Sequence, residues 1–291
     1  AYTDQLSLDL ISKVVLKTDL LDYVDLRSGF TSGTVAINLV DADLPVSALS
    51  CGWTSDGQVT YTQVNVIIDS LQSKTEMCVE DLRAKYQSAF MNAGTGNDFI
   101  PFEEVISESY TDKLRKYNEG LLINGAGAAG AGTGLKAQIT SANGAQLQAG
   151  VPAAWTAANA FEQALDLYDA IDESVKDRDD LIMVVSPDAY RALVRALVAQ
   201  NLYHFNSVES NDILILPGTN VTVVKSSGLV GSDNKFAGPG KMILAATGLT
   251  DELDNFRFFY DEAADVMKFR AAWRLGVGVG EVNVFATNDM A

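Results

Sequence analysis

Residues 28–73 constrain this chain most, because they alternate like strands yet carry too little apolar surface to fold alone. They open with a turn-forming cluster of Ser28, Gly29, Thr31, Ser32 and Gly33, after which TVAINLV reads as a strand. Asp41 to Pro45 breaks it, and SCGWTSDG forms a turn-rich tip. QVTYTQVNVII then alternates with period two, with Val59, Tyr61, Gln63 and Asn65 on one face. Two strands joined by an irregular tip make a long hairpin. Such a ribbon is marginal in water by itself, so it is expected to lie on another surface. Trp53, a large aromatic at the tip, reads as an interface anchor rather than core. The stretch holds no Lys or Arg.

The flanking segments also look for partners. Residues 1–27 mix Leu6, Leu8, Leu10, Ile11, Val14, Val15 and Leu16 with Asp19, Asp22 and Asp25. They read as an arm that buries its apolar side chains on a partner. Lys74 to Asn92 spaces Met77, Cys78, Leu82, Tyr86 and Phe90 as a helix. Pro101 begins a second helix, with acids early (Glu103, Glu104, Glu108) and bases late (Lys113, Arg115, Lys116), as a helix dipole favours. NGAGAAGAGTG from Asn124 to Gly134 reads as a flexible connection. Beyond it, Trp155 to Asp177 reads as a helix and LIMVVS as a buried strand. Pro187 starts another helix, DILILPGTNVTVVKS gives two strands around a Pro-Gly turn, and KMILAATG one more. The segment from Asn255 reads as a long hairpin turning at Asp261 to Asp265, then a last strand. This mixed order implies an α+β (mixed α/β) fold with no fixed repeat.

Candidate chemistry is thin. Gly125, Gly127 and Gly130 satisfy G-x-G-x-x-G, but a helix precedes them and no acid lies in residues 145–150, so the dinucleotide reading fails. The single histidine, His204, has no Gly-x-Ser-x-Gly partner and reads as a packed or helix-end residue. Asp177, Asp179 and Asp180 lack the calcium-loop pattern, as do Asp251, Glu252 and Asp254. The Asn220-Val-Thr222 sequon carries no weight without a secretory signal, which the N-terminus lacks. Cys51 and Cys78 are too few for a disulfide framework or a zinc site and read as free thiols in a reducing cytoplasm. The chain therefore reads as a non-enzyme with no catalytic residue, no cofactor and no metal. Its 38 acids against 21 bases give a net charge of −17, which argues against a nucleic-acid clamp and against docking on anionic membranes. Ala1 is what removal of an initiator Met or release from a precursor would leave.

The order of arm, base-free hairpin, long helix and closing hairpin resembles the major capsid proteins of tailed bacteriophages, the Hong Kong 97 fold. The ending NFRFFYDEAADVMKFRAAWRLGVGVGEV carries most of the likeness, with SPDAYRALVRALVAQNLY and PGTNVTVVKSSGL. The resemblance implies an N-terminal arm at residues 1–32, an E-loop at 33–73 and the first part of a P domain with its spine helix at 74–124. It implies an A domain at 125–248, a P-domain hairpin at 249–277 and a return strand at 278–291.

The function so implied is that of a self-assembling shell subunit. Hexamers and pentamers would tile an icosahedral shell around double-stranded DNA in the virion, assembled in the host bacterial cytoplasm. Portal, scaffolding and cement or decoration proteins are the further partners implied, and DNA would be touched without sequence preference. Some relatives weld their shells through an E-loop lysine, and the absence of lysine here predicts no such bond. The acidic balance predicts a lumen without a strong basic patch, with Lys and Arg paired to acids within or between subunits. Two other readings stand beside this one: an encapsulin-like nanocompartment shell and an acidic cytoplasmic enzyme.

Overall fold

The computed structural model describes residues 20–30, 33–42, 52, 57–78, 102–125, 132–200, 214–248, 256–261, 263–264 and 266–290. Within them the chain forms two mixed sheets that share a large apolar core, which bears out the α+β expectation.

The first sheet is organised by β3 (Val59–Cys78) and β11 (Val266–Val279). At 20 residues, β3 is about 65 Å long. Its first half pairs antiparallel with β2 (Gly33–Ala42), from Val59↔Ala42 to Ile68↔Gly33. Its second half pairs antiparallel with β11, from Ile68↔Gly276 to Cys78↔Val266. The strand thus changes partner at Ile68. On the other edge of β11 lie β10 (Phe256–Asp261) and β9 (Ile243–Thr247), and β1 (Asp25–Arg27) adds parallel to β9.

The crossover at Ile68 depends on the glycines of the GVGVG run. A Cβ on Gly276 would stand 2.3 Å from the Ile67 carbonyl oxygen, and one on Gly278 would stand 2.5 Å from Val66 Cγ2. Only hydrogen fits there. Inside the crossover a small cluster forms from Val66, Ile68, Leu244 and Ala246, with Phe30, Val35 and Val64 against it.

One helix, α1 (Phe102–Asn124), lies against the inner face of this sheet. Its 23 residues make it about 34 Å long. The helix runs eight residues past Lys116, so Lys113, Arg115 and Lys116 sit mid-helix rather than at the negative end of the dipole. A four-residue helix, α2 (Leu135–Gln138), follows.

The second sheet has the order β4-β12-β8-β5-β7-β6. Here β4 is Gln146–Leu147, β5 Leu181–Val185, β6 Leu214–Ile215, β7 Thr222–Lys225, β8 Phe236–Pro239 and β12 Ala286–Thr287. Central β5 is buried at every position, as its unbroken apolar run requires. Two helices pack on this sheet, α3 (Ala160–Asp169) and α4 (Pro187–Ala199). Pro187 is the first helical residue of α4, and Ser186 Oγ caps it by accepting from the Ala189 N–H.

Several expectations are corrected. Lys74–Cys78 is strand rather than the start of a helix. Eleven register pairs with β11, with exposure alternating along these residues, outweigh a helical spacing that the rest of that segment had suggested. Residues 79–92 lie outside the described residues. The helix expected from Trp155 begins only at Ala160, because Asn159 Oδ1 accepts from both Thr156 N (2.7 Å) and Thr156 Oγ1 (2.8 Å) and closes a turn. It ends at Asp169, and Asp172 then accepts from Ser174 N to cap a separate short turn. Within the expected arm, residues 20–27 dock on their own chain: Leu20 and Leu21 are buried in its core and β1 joins its sheet. Residues 1–19 lie outside the described residues.

At the β12–β8 edge, Lys235 is fully buried. Its Nζ donates to the Asp233 carbonyl at 2.6 Å and lies 5.3 Å from the centre of the Trp155 ring. Burial pushes its pKa down to about 8, against a smaller opposing pull from Asp233.

Two predictions follow from this packing. Gly276→Ala should cost about 1–3 kcal/mol in denaturant unfolding through the clash with Ile67, whereas Gly248→Ala, with ordinary contact distances, should stay within about 0.5 kcal/mol of wild type. Equal effects at the two sites would refute the steric account. For Lys235 the folded pKa lies below the unfolded value of 10.5, so between pH 8 and 10.5 the unfolded chain binds more protons. Its contribution to stability therefore rises with pH across that window. The Tm of wild type measured against Lys235→Met should shift in favour of wild type as pH increases through it.

Candidate assembly surfaces

Among the described residues no third strand joins the β2–β3 ribbon beyond Ile68. Its residues from Val59 to Gln63 are exposed, and both of its edges carry backbone groups unpaired among the described residues. Register places Val40 opposite Tyr61, so these two side chains share a face, and Val59, two residues from Tyr61 on the same strand, lies on it too. Tyr61 is 73% exposed, Val40 62% and Val59 48%, an apolar patch at the far end of the ribbon. Nearer the base, Gln63 Nε2 donates to Asn38 Oδ1 across the strands at 3.4 Å. A patch of this kind on a projecting ribbon is suited to association rather than to chemistry. Trp53 and Cys51, at the expected tip, lie outside the described residues.

The other candidate surface is the frame that holds the ribbon. Two consecutive residues of α1 tie the sheets together. Asn118 Oδ1 accepts from the Trp273 indole N–H at 2.8 Å, joining the helix to β11. The buried carboxylate of Glu119 accepts from Ser227 N (3.0 Å) and Ser227 Oγ (2.6 Å), joining it to the turn after β7. Asn124 Nδ2 donates to the Gly228 carbonyl at 2.8 Å, and Tyr110 stacks on Phe269 at 4.7 Å. Sequence reasoning missed Asn118, Glu119 and Ser227. The only local signal was a polar Asn-Glu pair just before the apolar run LLI.

Of the residues singled out for chemistry, the described ones have separate structural partners or are exposed. Gly125 adopts a left-handed φ of +69° just after α1, where a Cβ would meet Gly134 N at 2.3 Å. It closes a loop by packing against another glycine, and Gly127 and Gly130 lie outside the described residues. Asp180 forms a two-pronged pair with Arg178 (2.8 and 2.9 Å), and that guanidinium holds its carboxyl below the usual range. Asn220 Nδ2 bridges the carbonyls of Lys176 (3.0 Å) and Arg178 (2.6 Å). Cys78 is exposed. His204, Asp251, Glu252 and Asp254 lie outside the described residues. Among the described residues no group of three or more His, Cys, Asp or Glu side chains could hold a metal ion, and no helix is long and apolar enough to cross a membrane.

Several of the cations are paired within the chain. Arg27 pairs with Asp25, Lys176 with Glu173, Arg178 with Asp180, Arg191 with Asp188 and Lys268 with Asp261. Hydrogen bonding at the last pair, 2.5 Å, pulls the Asp261 pKa down and pushes the Lys268 pKa up.

No family model and no curated protein matches the chain. Solved structures do. The capsid of a native GTA particle superposes with a TM-score of 0.61 at 14% identity, over 93% of this chain and 89% of that one. Gordonia phage Cozz gives 0.60 at 10% identity, over 93% and 85%. A virus-like particle from Pyrococcus furiosus gives 0.55 at 12% identity, over 97% and 98%. At such identities the likeness is one of backbone architecture, and it extends over nearly the whole chain. The chain has the Hong Kong 97-type capsid fold.

Proposed function

We propose that this chain is a capsid shell subunit, the major capsid protein of a tailed bacteriophage. The observation that carries the reading is the β2–β3 ribbon, which projects beyond its sheet with Tyr61 and Val40 exposed at its far end. Neighbouring copies would cover that patch. Closed symmetry repeats one modest interface many times, so hexamers and pentamers can tile an icosahedral shell without any strong single contact. In this reading residues 33–73 serve as the E-loop and 74–124, ending in α1, begin the P domain. The second sheet belongs to the A domain of residues 125–248, the P-domain hairpin spans 249–277 and the return strand 278–291.

The shell would enclose double-stranded DNA. At −17 the subunit suits contact that does not grip phosphate, since DNA has to slide in and out. Portal, scaffolding and cement or decoration proteins would be its partners, the virion its location and the bacterial cytoplasm its place of assembly.

A second reading, an encapsulin-like nanocompartment, is favoured by the near-complete mutual coverage with the Pyrococcus furiosus particle. It shares the fold and differs in content.

Negative-stain microscopy of the purified chain should show uniform closed shells of tens of nanometres. A monomer or small oligomer at every concentration would overturn the shell reading and favour an acidic enzyme. Nuclease-protected DNA in native particles would support the phage capsid, and enclosed protein without DNA the nanocompartment. Boiling mature particles in SDS should release monomer, because residues 28–73 contain no lysine to form a weld. A covalent ladder would contradict that.

A further inference from the structure

We propose that the pocket around Asp69 is a binding site for one monovalent alkali cation, held by the Asp69 carboxylate at the root of the β2–β3 ribbon. Such a site would operate in the single chain, whatever that chain assembles into.

Asp69 follows the residue at which β3 changes partner, and register sets it opposite Leu275 of β11. Period-two alternation puts it with Leu71 on the inner face of the sheet, under α1. It is only 5% exposed, yet its carboxylate makes no hydrogen bond and no ion pair among the described residues. The carboxylate borders a small pocket walled by Leu121 and Leu122 of α1, Leu275 and Val277 of β11, and Thr133. Asp69 Oδ2 reaches towards Gly132 on the same wall, where an added Cβ would stand 2.7 Å from it. About 10 Å³ is left inside, room for one water molecule or one bare ion.

An unpaired buried carboxylate is costly and calls for a counter-charge. The segments that wall the pocket carry none. Residues 28–73 and 117–135 contain no Lys or Arg, and neither does β11 after Arg274. Arg274 stands opposite Ser70, one residue along from Asp69, so its side chain leaves the other face of the sheet. Leu121 and Leu122 belong to the last turn of α1, so the negative end of the helix dipole adds to the deficit. Hard cations take oxygen ligands, and the carboxylate and the oxygens of Thr133 are on the pocket wall. A single positive charge matches a single carboxylate. A divalent ion would leave net charge among four apolar side chains, and among the described residues no group of three or more His, Cys, Asp or Glu side chains could hold one. Water alone would leave the carboxylate uncompensated. An ion here would tie the end of α1 to the crossover of β3 and to the GVGVG run of β11, stiffening the point from which the ribbon departs.

Thermal melting of the full chain tests this. Sodium or potassium chloride replaces tetramethylammonium chloride, whose cation is too large for the pocket, at a constant total of about 0.2 M so that screening stays fixed. Sedimentation confirms the same assembly state in every sample. Wild type should gain at least about 2 °C, saturably, in one of the two alkali salts. Asp69→Asn keeps the shape, removes the charge and should show no gain. Gly132→Ala keeps the carboxylate but sets a methyl group against it, and should lose most of the gain. A wild-type melt indifferent to both alkali cations would overturn the proposal and leave water as the occupant. An Asp69→Asn chain that keeps the whole gain would also overturn it, because the ions would then act elsewhere. A gain in about 1 mM calcium chloride that sodium and potassium do not reproduce would reject the monovalent assignment.

Discussion

The structure turns on the two polar side chains that α1 presents to opposite sides. Asn118 and Glu119 are adjacent, both are buried, and each satisfies a donor from a different sheet region. Burying a polar group costs less when it is hydrogen-bonded, as Asn118 Oδ1 and the Glu119 carboxylate are, and each contact orients the helix, although Asn118 Nδ2 is buried without a partner among the described residues. The Trp273 indole sets it on the long sheet, and Ser227 sets the second sheet on it. A long helix held this way becomes a rigid beam between two units that share one apolar core.

The beam matters because the sheet it stiffens carries the ribbon. The partner change of β3 at Ile68 carries one continuous strand beyond its ladder with β11, and the absence of Cβ atoms at Gly276 and Gly278 lets it pass. A ribbon rooted in an eleven-pair ladder leaves at a defined angle even though its far end has no support of its own. Fold and proposed function meet at this point. A shell subunit needs a projecting element stiff enough to present a patch to a neighbour, and a continuous strand provides it more economically than a hinged loop would.

Charge is distributed along the same division. Most of the described ion pairs are local, between residues two to seven positions apart, and serve turns and hairpin ends. Exposed pairs of this type contribute little to stability. Register sets Lys74 and Arg270 opposite one another on adjacent strands, while residues 28–73 carry acids and no base.

Much of the architecture was legible in the sequence because its signals are local. Period-two alternation marked the ribbon, Pro187 after Ser186 marked α4, and the all-apolar LIMVV marked a central strand. Asp180 and Gly125, which lie in motifs the sequence reading set aside, have structural partners. What depended on distant partners was not legible. Lys74–Cys78 looked helical because its ladder with β11 lies some 190 residues away in the chain, as the Lys74↔Arg270 pair illustrates. Leu20 and Leu21 looked like part of a free arm because the core that buries them is built from later residues. The Asn118–Trp273 and Glu119–Ser227 contacts, and the placing of Lys74 opposite Arg270, exist only once strands and helix are in register. The sequence by itself determined where strands and helices could form, since that depends on neighbours within a turn or two. The tertiary structure decided which strand continued, which arm docked and which charges met, because those outcomes depend on pairing between residues that the chain keeps far apart.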